Sequence, residues 1–205
     1  MVRRLTDMPF FFNANLLRGG DFVVKELNAK EQKILLSIAR QAIIDQVQSG
    51  RYEVEPREEK SLNSRSGCFV SIKQDGKLRG CIGNFQSELP LFNEVADMAV
   101  SSATKDPRFY PMLDEDLDHF SLEISVLSPL EKIETIDEIE VGRHGIYLEK
   151  SFHRGVLLPQ VAAEHGWDRE TFLMQTCIKA GLPTDAWRND DADIYTFSAQ
   201  IFSET

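Results

Sequence analysis

A cysteine and an arginine stand two residues apart in Leu78-Arg79-Gly80-Cys81-Ile82-Gly83, a spacing that could support thiolate chemistry. In an extended strand alternate side chains share a face, so Arg79 and Cys81 are predicted to point the same way, with Cα atoms about 6.6 Å apart. At that range a guanidinium favours the thiolate, the nucleophilic form of cysteine, provided both groups share a recess. The same residue fits a plainer reading, because free cysteine commonly packs as a small buried hydrophobe. Gly80 and Gly83 weaken a strand by propensity and mark a close backbone approach, a bulge or a ligand.

Further downstream, Asp106-Pro107-Arg108-Phe109-Tyr110-Pro111 is predicted to be a rigid loop, since its prolines restrict the backbone and Asp106 can bond nearby amides. Arg108 then projects from a fixed base, either to pair with a carboxylate of the fold or to hold an anion. His165 stands just before a helix, where it serves as a capping or packing residue or as a proton shuttle.

The elements that must position these residues follow from hydrophobic period and stop signals. Asn28 with Glu31 has capping-box spacing; Leu35, Ile38, Ala39, Ala42, Ile43 and Val47 recur on a helical face, and Gly50 ends it. Residues 51–66 are charged and irregular, which predicts a solvated loop. Cys68–Ile72, the Gln74-Asp75-Gly76-Lys77 turn and Leu78–Ile82 read as a β-hairpin. Pro90 opens a second helix that ends near Thr104, and Phe120–Val126 alternates as a half-buried strand. Short β runs at 145–148 and 156–158 suggest a small β lobe over about 129–160. Asp168 caps a helix over which Trp167 and Phe172 form a hydrophobic staple, and Gly181-Leu182-Pro183 stops it. The last stretch, 194–202, alternates as one closing strand. Helices mixed irregularly with antiparallel hairpins define an α+β fold.

Composition narrows the function. Thirty-three acidic against twenty-three basic residues give a net charge of -10 across 205 residues, which opposes binding to nucleic acid. Three widely spaced cysteines suggest a reducing, cytoplasmic setting. The run Met8-Pro9-Phe10-Phe11-Phe12 is too short for a membrane span; within an N-terminal arm of residues 1–26 it is expected to dock on the chain's own surface, or on a second copy in a homo-oligomer. Cysteines and histidines show no metal-ligand spacing, and no glycine-rich phosphate loop is present, so no motif specifies a metal or cofactor.

Five blocks occur in order: Leu78–Gly83, Asp106-Pro107-Arg108-Phe109, Leu158-Pro159-Gln160-Val161, Glu164-His165-Gly166-Trp167-Asp168 and Cys177-Ile178-Lys179-Ala180-Gly181-Leu182. Together they resemble the AMMECR domain family over residues 27–205. The resemblance implies an α+β fold of two unequal lobes with a cleft between them and no settled activity. Prokaryotic members, of the AmmeMemoRadiSam system, tend to be encoded beside Memo-like and radical-SAM proteins, which implies those as partners. Family blocks and residue chemistry together place Arg79, Cys81, Asp106, Arg108, Gln160 and His165 at the site. Three readings follow: an enzyme with Cys81 as nucleophile and His165 as proton shuttle, a module that binds a small anion through Arg79, Asp106, Arg108 and Gln160, and an accessory subunit of a radical-SAM or Memo-like enzyme.

Overall fold

The computed structural model describes residues 26–189 and 191–204, so the expected N-terminal arm, apart from Glu26, lies outside the described residues. The chain divides into two compact units, residues 26–127 with the chain's end from Gln200, and residues 128–199. Its class is α+β, with two antiparallel sheets.

In the first unit, helix α1 (Ala29–Ser49) begins at the predicted cap: Asn28 accepts from the amides of Lys30 and Glu31, while Glu31 returns a bond to the Asn28 amide, and Gly50 closes the helix at φ 72°. Strands β1 (Cys68–Gln74) and β2 (Lys77–Asn84) form the predicted hairpin, with Asp75 and Gly76 both at positive φ in its tight turn. Helix α2 spans Leu91–Thr104 and strand β3 spans Phe120–Leu127. The sheet order is β2-β1-β3-β8, where β8 is Ala199–Ser203, so β2 lies at an edge. Cys68, Val70, Ile72, Leu122 and Ile124 are sealed in one core with the apolar faces of α1 and α2. The 51–66 stretch departs from the solvated loop expected of it. Leu62 is wholly buried, and Tyr52 and Val54 pack against the core, because these apolar residues sit between the charges at positions that can turn inward.

In the second unit, strands β4 (Glu131–Lys132), β5 (Gly145–Lys150), β6 (His153–Leu157) and β7 (Asp193–Phe197) form a sheet in the order β4-β7-β5-β6. Helices α3 (Pro159–His165) and α4 (Arg169–Lys179) supply Val161, Ala162, Phe172, Leu173 and Cys177 to its core. This unit reaches from 128 to 199, where the sequence suggested a β lobe over 129–160, because β7 arrives after both helices and pairs with β5 in the sheet's interior. The single closing strand predicted over 194–202 is two strands. It breaks at Ser198, whose amide donates to Ser128 Oγ while its carbonyl accepts from the Ser128 amide, so β7 and β8 enter different sheets.

Candidate functional site

Arg79 occupies a β-bulge. Ile72 pairs with Gly80 and Lys73 with Leu78, leaving Arg79 as the extra residue on β2. Strict alternation therefore fails at this position, and the predicted common facing of Arg79 and Cys81 loses its basis. Arg79 is 6% exposed, and its Nη2 lies 3.4 Å from Asp116 Oδ2, a long contact for an ion pair. The guanidinium stacks beneath the Tyr110 ring at 4.1 Å, with the Phe109 ring at 6.0 Å. Its Nε and Nη1 are buried and have no hydrogen-bond acceptor among the described residues.

Asp116 is well supplied by comparison. It accepts from the Leu113 amide at 2.9 Å and from the Tyr110 hydroxyl at 3.1 Å. Burial disfavours its charged form, yet the Leu113 amide, the Tyr110 hydroxyl and the charge of Arg79 together hold its carboxyl below the usual range. Tyr110 is 59% exposed and covers Arg79 from the solvent side.

Arg108 and Asp106 form a clasp on the same strand. Arg108 Nε and Nη2 donate to the two Asp106 oxygens at 2.9 and 2.6 Å, the bidentate geometry that favours arginine over lysine. Asp106 Oδ2 also accepts the Cys81 amide at 2.8 Å, and Arg108 Nη2 reaches the Cys81 carbonyl at 3.3 Å. These groups would otherwise be left unpaired on an edge strand, so the loop closes the edge at Cys81. Burial pushes the Asp106 pKa up, but hydrogen bonds from Arg108 and from two backbone amides outweigh it and leave the carboxyl below its ordinary value. Of the two roles open to Arg108, pairing within the fold is the one observed.

Cys81 is fully buried, and its Sγ accepts a hydrogen bond from Ser71 Oγ at 3.1 Å. The premise that this sulfur and Arg79 look together into an open recess is thereby overturned. Burial raises the thiol pKa, and neither the Ser71 hydroxyl nor the charge of Arg108 compensates, so at neutral pH the group is a protonated thiol. A sealed thiol of this kind also leaves His165 with no nucleophile to serve. The flanking glycines are steric necessities. A Cβ on Gly80 would stand 2.2 Å from the Ser102 carbonyl oxygen, and one on Gly83 2.3 Å from the Cys68 oxygen. Ser102 uses that closeness, accepting the Ile82 amide at 2.8 Å and donating to the Val70 carbonyl at 2.7 Å.

Gln160 and His165 belong to the second unit, both on α3. Gln160 is half-buried with an Oε1 that has no donor among the described residues, and His165 is exposed and stacked on Trp167 at 4.7 Å between ring centroids. Reasoning from the sequence missed Asp116 and Tyr110. Tyr110 sat within the proline-bounded loop and was visible there; Asp116, thirty-seven positions from Arg79, carried no local signal.

The AMMECR1 family model matches residues 36–202, and the chain belongs to that family. It is 41% identical to a protein of Methanopyrus kandleri over 88% of this chain and 91% of that one. Against a protein of Thermococcus gammatolerans the identity is 44%, covering 84% and 89% of the two chains. The crystal structure of an uncharacterized protein from Pyrococcus horikoshii superposes with a TM-score of 0.78 at 39% identity, over 87% of this chain and 93% of that one.

Proposed function

We propose that this protein is a binding module for a small anionic ligand, a carboxylate or a phosphate, held by Arg79. The observation that carries this reading is the pair of buried, unpartnered donors Nε and Nη1 on a side chain 6% exposed. A buried donor without an acceptor costs about 1–3 kcal/mol, more when the group is charged. An anion supplies the missing acceptors and adds to the negative charge that Asp116 offers only at 3.4 Å. Tyr110 lies across the guanidinium from the solvent side, so rotation of its exposed ring is the route of entry. Every residue involved belongs to the first unit, and the reading requires no activated thiol.

The test is calorimetric titration of the full chain with inorganic phosphate, acetate, malonate and citrate. At least one of these probes is expected to bind saturably, Arg79→Lys to weaken it tenfold or more, and Cys81→Ser to leave it within twofold. Binding that survives Arg79→Lys but disappears in Cys81→Ser would overturn the reading in favour of cysteine chemistry; no saturable binding by any probe would also count against it.

A further inference from the structure

A second cationic feature lies on the outer face of α1. Lys30, Lys33 and Ser37 follow one another at helical spacing and, with Ala29, Ile34 and Arg57, line a concavity of about 500 Å³. None of Lys30, Lys33 and Arg57 forms an ion pair with a described residue. In a chain of net charge -10, three cations without an ion pair among the described residues line one concavity. The acid next in sequence, Glu31, accepts from the Asn28 amide and the Ser61 hydroxyl.

The wall opposite α1 is built. Asn63 Nδ2 donates to the Arg57 carbonyl at 2.7 Å and to the Glu59 carbonyl at 3.0 Å, which fixes the backbone from which Arg57 projects. Arg57 Nε is buried and has no acceptor among the described residues. The amides of Lys30 and Glu31 are already taken by Asn28, so the anion-binding capacity here belongs to side chains and not to the helix end.

We propose that this concavity binds the phosphoryl group of a small phosphorylated molecule. Two ammonium groups and a guanidinium match a dianion, where a single carboxylate would leave most of their charge unmet. The Ser37 hydroxyl adds a neutral donor, and Ile34 and Ala29 provide apolar surface for the remainder of the ligand. A volume of about 500 Å³ lies within the range of small-ligand sites. The acidic remainder of the chain opposes extended polyanions and anionic membranes. This site is independent of Arg79.

The test titrates the full chain with pyrophosphate and with glucose 6-phosphate, following backbone amide shifts of residues 29–37. Saturable shifts are expected, with affinity falling tenfold or more in the double variant Lys30→Glu/Lys33→Glu and at least threefold in Arg57→Gln. Thermal unfolding of the double variant should not fall below that of the parent, since Lys30 and Lys33 are both exposed. Arg79→Lys should leave the titration unaltered; its loss there would overturn the proposal by placing the phosphate at Arg79. Equal binding by the double variant, or shifts that rise linearly without saturation, would overturn it too. Co-sedimentation with phosphatidic acid vesicles, abolished in the double variant, would transfer the surface to a membrane and contradict the small-molecule assignment.

Discussion

Arg79 is a cation that folding has withdrawn from water without giving two of its nitrogens an acceptor among the described residues. Arg108, twenty-nine positions later, shows the alternative outcome, with a bidentate carboxylate partner at 2.6 and 2.9 Å. The contrast separates a clasp from the group proposed to bind an anion, although the two arginines look equivalent in sequence. Asp106 belongs to the clasp, and its lowered pKa has a consequence for stability. Because the native carboxyl titrates below its unfolded value of about 3.9, the unfolded chain takes up the proton first on acidification. The stabilisation is thus complete above that value and is lost as pH falls through the native pKa, with Asp116 acting in the same direction. Urea unfolding at pH 6 and pH 3 should show Asp106→Asn less stable than the parent at pH 6 and closer to it at pH 3; a constant difference between them would refute the assignment.

At the scale of the element, strand β2 explains why the most chemically suggestive string in the chain is mainly architectural. Its glycines admit the α2 backbone at Ser102 on one side and the β1 backbone at Cys68 on the other. Adding a methyl group at Gly80 would force the Ser102 carbonyl away and disturb the hydroxyl that bridges Ile82 and Val70. Gly80→Ala is therefore expected to cost about 3 kcal/mol or more in chemical denaturation, at the upper end of overpacking effects. A change below 0.5 kcal/mol would mean that α2 does not press on the strand as described. The helices α1, α2 and α4, the β1-β2 turn and strand β3 were legible because caps, period and turn residues act within a few positions. Period two also foretold a strand at 78–82, but it could not foretell a bulge at Arg79, which depends on the pairing with β1. The break at Ser198 was hidden for the same reason, as its partner Ser128 lies seventy positions away. Helix α3 did carry local signals, Pro159 at its first position and Gly166 at φ 62° after its last, which its shortness left unrecognised.

Across the whole molecule, the chain joins a negative overall charge to two separate cationic places: Arg79 in the interior, two of whose nitrogens lack an acceptor among the described residues, and the Lys30, Lys33 and Arg57 concavity outside. Among the described residues no helix is long and apolar enough to cross a membrane. Family membership was readable from ordered blocks, whereas the division of labour among Arg79, Cys81, Asp106 and Arg108 was not, because burial and partner choice are properties of the folded chain. The sulfur of Cys81 is sealed and protonated; the guanidinium two positions before it is the group proposed to bind an anion. The most direct measurement of that claim is the Arg79 Nε–H resonance in a protein labelled at arginine side chains, followed during addition of malonate, citrate and inorganic phosphate. Saturable movement of that resonance with at least one anion, accompanied by a change at the Tyr110 ring, is the predicted result. A resonance unmoved by every anion while another site binds one would contradict the account.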